Sequence, residues 1–133
     1  MLTKTVTFAL LLIGFTASAL AADAAKQEIS TALQHAVFSA KSDQVKAVHL
    51  HLHHVVNCLV GKDGKQFDGA FGDPCQGMGS GAINDTMDAS VKASLGQVLS
   101  EAERGLSEND VDSARASASK VRDMLQGLVG SGS

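Results

Sequence analysis

Residues 48–57 read VHLHLHHVVN, and whether this stretch is strand or helix decides the fold. As a strand, His49, His51 and His53 would share one face and Val48, Leu50 and Leu52 the other. As a helix at about 100° per residue, positions 45, 48, 52, 55, 56, 59 and 60 gather into one apolar stripe. That stripe extends over 42–60 through Val45, Val48, Leu52, Val55, Val56 and Leu59, and no run of alternating strand patterns surrounds it. The stretch is therefore read as a helix.

The neighbouring segments repeat the helical period. Residues 24–41 carry Ile29, Leu33, Ala36, Val37 and Ala40 on one face, and Ser42-Asp43 supplies cap chemistry before the next helix. Gly61 stops helix two. A third helix is expected over 84–106 with Met87, Val91, Leu95, Val98, Ala102 and Leu106, ending at Gly105. Ser107 with Asp110 resembles a capping box, and Val111, Ala114, Ala118, Val121, Leu125 and Leu128 form a coiled-coil-like seam on a fourth. The expected architecture is all-α, a four-helix bundle of two helical hairpins. A long Gly-rich link, 61–81, joins the hairpins, and a frayed tail is expected over 129–133. The link holds seven glycines and is far longer than an ordinary helix connection, so it reads as an Ω-type cap or as a flexible linker.

The N-terminus carries a different signal. Lys4 is the only charge before Asp23, residues 6–15 are almost wholly apolar, and Ala19-Leu20-Ala21 has the small-x-small pattern of a cleavage site. Residues 1–21 are read as a secretory signal peptide and 22–133 as one mature domain, periplasmic or secreted. Removing 21 of 133 residues leaves 112, with ten basic side chains against fourteen acidic ones. A net charge of −4 without a basic stripe disfavours nucleic acid, and nothing after residue 21 is expected to span a membrane. In an oxidising compartment Cys58 and Cys75 are read as a disulfide anchoring the link to helix two, with a pair of thiolate metal ligands as the competing reading.

Four of the five histidines fall within six positions. On the helical wheel His49 and His53 lie about 40° apart as an i, i+4 pair, a spacing that lets two imidazoles hold one ion. His51 lies on the other flank, at about 200°, and His54 faces away from the stripe, at about 140°. His35 stands on helix one, where a facing-helix contact could bring it in. The candidate metal site is His49 and His53, completed from His51, His54 and His35; neutral imidazole suits copper or zinc. The ordinary alternative is that they are flank and surface residues. No C-x-x-C-H allows covalent haem attachment, and a noncovalent haem would need Met87, Met124 or a second histidine. Met78 in the link is a possible soft copper ligand. No nucleophile motif, P-loop or E-x-x-H pair is present, so no enzymatic activity is expected.

His51, His53, His54, Asn57, Cys58 and Gly61, followed by Asp73, Pro74, Cys75, Gly77, Gly79, Gly81 and Asp85, form a dense pattern. HLHHVVNCLVG followed by GDPCQGMGSGAIND resembles small exported bacterial helical proteins of uncharacterised activity. The resemblance covers about a third of the mature chain and implies no function. It implies that histidines, cysteines and link form one local unit, in which Asn57 satisfies link backbone groups and His54 could bond link carbonyls instead of a metal. Two readings follow. One is a periplasmic copper- or zinc-binding protein, with the metal ion as its partner. The other is a ligand-free module of the cell envelope that meets a protein partner and whose histidines brace the link.

Overall fold

The computed structural model describes residues 16–131, which hold five helices and no strand. Helices α1 (Thr16–Lys41) and α2 (Val45–Val60) are followed by a 3₁₀ turn at Gly69–Phe71 and the single-turn α3 (Ala82–Asp85), then α4 (Ala89–Ser107) and α5 (Val111–Ser131). The all-α expectation holds, but α3 was not foreseen as a separate helix. Most of the expected signal peptide lies outside the described residues. From Thr16 the chain is already helical, and α1 runs without a break past Ala21, as the alanine-rich run 17–25 favours.

Helix α1 packs along α2 and α5, and α4 along α5 and α2. α1 contributes small buried residues, Ala25, Ala32, Ala36 and Ala40, which admit close approach of the facing helices. The bulk comes from elsewhere: Leu52, Leu59, Leu95 and Leu125 are fully buried with Val48, Val55, Val98 and Val121. Across the first hairpin, buried Ser39 Oγ donates to the Val48 carbonyl at 2.8 Å. No helix among the described residues is long and apolar enough to cross a membrane.

Several element ends differ from expectation, each for a local reason. Ser42 does not cap α2; its hydroxyl bonds back to the Phe38 carbonyl, and Gln44 occupies the cap position without a side-chain bond. The expected start of helix three at Asn84 belongs to α3. α4 begins five residues later, where Asp88 Oδ1 accepts from the Ser90 and Val91 amides. Met87 consequently falls in the connection and is 74 % exposed rather than on the stripe. Asp110 itself caps α5, through the Asp112 and Ser113 amides. Gly105 does not end α4 but lies buried within it, and a Cβ there would stand 2.7 Å from Leu52 Cδ1 and 2.9 Å from Ser117 Cβ. At the other end α5 continues to Ser131, through part of the expected frayed tail.

The two ends of the 61–81 segment meet backbone to backbone. Gly61 (φ 69°) and Gly81 (φ 103°) both adopt the left-handed region, and a Cβ on Gly61 would stand 2.1 Å from the Ser80 carbonyl oxygen. Cys58 and Cys75 are disulfide-bonded, tying the segment to α2. Buried Asn57 holds it a second time. Its amide donates to the Asp68 carbonyl at 2.9 Å and the Gly72 carbonyl at 2.7 Å, and its oxygen accepts from the Asp68 amide.

Candidate metal centre

His51 and His54 stand three residues apart on α2, so their side chains are neighbours on one face. The hairpin lays α1 alongside that face, bringing in His35. The Nδ1 atoms of His35 and His51 are 3.2 Å apart, and those of His54 and His35 are 3.1 Å apart. All three rings are half-buried, each offering a ligand nitrogen within 4.8 Å of the others. Nitrogens bound at about 2.0–2.1 Å in a tetrahedral shell lie about 3.3 Å apart, so these two spacings suit ligands of one ion.

The hydrogen bonds fix where a lone pair points. His54 Nε2 is 2.7 Å from the Phe71 carbonyl oxygen, which can only accept, so Nε2 carries the proton. In the neutral ring Nδ1 is then the acceptor, turned toward His35. His35 Nδ1 therefore faces two ring nitrogens with a single in-plane position, either one proton or one lone pair. It cannot make a good hydrogen bond to both. Protonating His35 offers no easy escape, because burial, then His54 and His51, push its pKa down to about 4. Burial and His54 likewise lower that of His51. A cation shared by the three imidazoles would relieve the crowding, and the His54–Phe71 bond is the kind of outer contact that orients a ligating histidine.

The i, i+4 pair singled out in the sequence is placed elsewhere. His49 Nε2 donates to the Glu108 carbonyl at 2.9 Å, tying α2 to the α4–α5 connection. His53 stacks on Phe71, with ring centroids 3.7 Å apart and planes 7° from parallel. Burial is the main cause lowering the His53 pKa. Of the five candidate ligands the structure thus brings together His35, His51 and His54. Met78 lies against Thr31, whose hydroxyl donates to its sulfur at 3.7 Å, and Met124 packs at the edge of the apolar core. Cys58 and Cys75 are bonded to each other rather than serving as thiolate ligands. Phe38 flanks the cluster, its ring 5.8 Å from His35 and 5.4 Å from His51. The legible signal for the cluster was the i, i+3 pair with a histidine on the hairpin partner.

Comparison with known proteins adds no name to this site: no protein-family model, curated protein or solved structure matches the chain.

Proposed function

We propose that the protein binds one transition-metal ion, copper or zinc, through Nδ1 of His35, His51 and His54. The observation that carries this is the convergence of three Nδ1 atoms while the far nitrogen of His54 is held by the Phe71 carbonyl. A purely imidazole set suits both metals, and the general affinity order favours Cu²⁺. In this reading the four long helices are a bundle scaffold, the disulfide-tied 61–81 segment is its cap, and the role is to hold or buffer metal rather than to catalyse. The disulfide agrees with an exported, periplasmic setting.

The test is metal analysis and titration with Cu²⁺ or Zn²⁺ on protein purified without a nickel column or chelator. About one equivalent is expected. His35→Ala and His54→Ala should each weaken binding by at least about 10–100-fold, the loss that removing even an outer partner causes. His49→Ala should leave it nearly unchanged. Undiminished uptake in the His35/His54 double variant would refute the site.

A second reading has its own support. The His54–Phe71 bond and the His53–Phe71 stack already brace the segment without any ion. On that reading the protein is a ligand-free module of the cell envelope that meets a protein partner. It takes up neither metal, and histidine substitutions lower stability alone.

A further inference from the structure

His35, His51 and His54 account for three corners of a tetrahedral shell. What fills the fourth corner determines what else the ion can bind. Closed sites supply a further protein donor, whereas a shell with three protein ligands keeps water or an exogenous ligand in the remaining position. The protein donors nearest in the fold are engaged elsewhere. His49 bonds the Glu108 carbonyl, His53 stacks on Phe71, and Cys58 is joined to Cys75. The Phe71 carbonyl accepts from His54 Nε2. Each acid of the 61–81 segment turns to its own surroundings: Asp63 pairs with Lys62 at 2.8 Å, while Asp68 Oδ1 accepts from the Ala70 amide and Asp73 Oδ1 from the Cys75 amide, both at 3.0 Å. Glu28, almost wholly buried on α1, accepts from the Gly81 amide at 3.0 Å. It stands two turns before His35, about 10 Å along the helix axis.

The charge balance points the same way. The close group of possible ligands at this place consists, among the described residues, of the three histidines alone. Neutral imidazoles leave a divalent ion its full charge. The groups that act on His35 are His54 and His51, and His54 acts on His51; no carboxylate figures among them. A monoanion in the fourth position therefore gains an attraction that a neutral ligand lacks, and half-burial of the rings strengthens it. Phe38 stands at the flank, 44 % exposed and edge-on to the His35 ring. Its ring offers no hydrogen bond, so this wall selects by size and charge rather than by a polar pattern.

We propose that the ion held by His35, His51 and His54 keeps an open fourth position, filled by water and exchangeable for a small monodentate anion of the halide, azide or cyanide class. This rests on the three-histidine reading above and adds an anion site to it. In the exchange the donor atom of the anion bonds to the ion, one water leaves, and all three histidines stay bound. Met78 is the rival fourth ligand. Its sulfur accepts from the Thr31 hydroxyl at 3.7 Å, one helical turn before His35 on α1.

The test loads chelator-treated protein with CoCl₂, whose visible bands report a tetrahedral shell, and then titrates it with sodium azide. The expected result is a saturable shift of those bands to one ternary species, with Co²⁺ retained through desalting. Met78→Leu should reproduce both spectra, and His54→Ala should lose the bands and the azide response together. Bands that form with Co²⁺ but do not answer to azide would overturn the open position while leaving the three-histidine site standing. An altered starting spectrum in Met78→Leu would overturn it too, by assigning the fourth corner to sulfur. An azide response that survives in His54→Ala would place the anion on some other ion. Failure of the bands to form at all in the wild-type protein would refute the three-histidine reading itself, and the anion site with it.

Discussion

Glu28 sets burial against charge within a single residue. Its carboxyl titrates near 7 in the folded protein and near 4.5 as a free group, so between these values the folded state holds more proton than the unfolded chain. Stability from this group is therefore fully present below about pH 4.5 and is lost as pH rises through about 7. The histidines with lowered pKa values slope the opposite way, so the comparison that isolates Glu28 is with Glu28→Gln. Wild type should lose ground to that variant by about 1–3 kcal/mol between about pH 4.5 and 7.5, as read by urea unfolding. A constant difference across that range would contradict the account. Asn57 shows the reverse situation at the same scale, a buried amide with every bond made, and it holds the segment without depending on pH.

Helix α4 carries two glycines with opposite surroundings. Gly105 sits where α2, α4 and α5 meet, and a Cβ would press on Leu52 and Ser117. At Gly96 a Cβ would meet nothing within 4 Å. Gly96→Ala should therefore stabilise by about 0.5–1 kcal/mol through helix propensity. Gly105→Ala should destabilise by about 1–3 kcal/mol through overpacking, despite the same propensity gain. Thermal unfolding of both variants checks the pair, and equal effects would contradict the packing. The elements were legible where burial follows a period: Val48, Leu52, Val55, Val56 and Leu59 are all buried, as the stripe in α2 requires. Ends were less legible, because near neighbours such as Ser42 and Asp43 before α2, or Ser107 and Asp110 before α5, offer similar cap chemistry, and only the chain's direction after each selects between them. The site was half legible for a related reason. A wheel drawn for α2 alone favours the His49/His53 pair, since it cannot see that α1 offers His35 on the far flank and the 61–81 segment offers Phe71 to His53. Neither is adjacent in sequence.

At the scale of the whole molecule, the 61–81 segment links the chemistry to the scaffold. Cys75 ties it to α2, Glu28 and Asp85 hold its end, and its Phe71 carbonyl orients His54. Reducing the disulfide frees a loop of 17 residues and should lower stability by about 3 kcal/mol on the chain-entropy relation. Denaturant unfolding with and without reductant measures this, and a change below about 0.5 kcal/mol would mean that the remaining contacts hold the segment unaided. The central claim is that one metal ion is shared by three particular nitrogens. Long-range ¹H–¹⁵N spectra of the histidine rings, recorded before and after one equivalent of Zn²⁺, observe those nitrogens directly. The account predicts that the Nδ1 resonances of His35, His51 and His54 move together to metal-bound positions while those of His49 and His53 stay in place. Movement of His49 and His53 instead, or no movement of any ring, would contradict it.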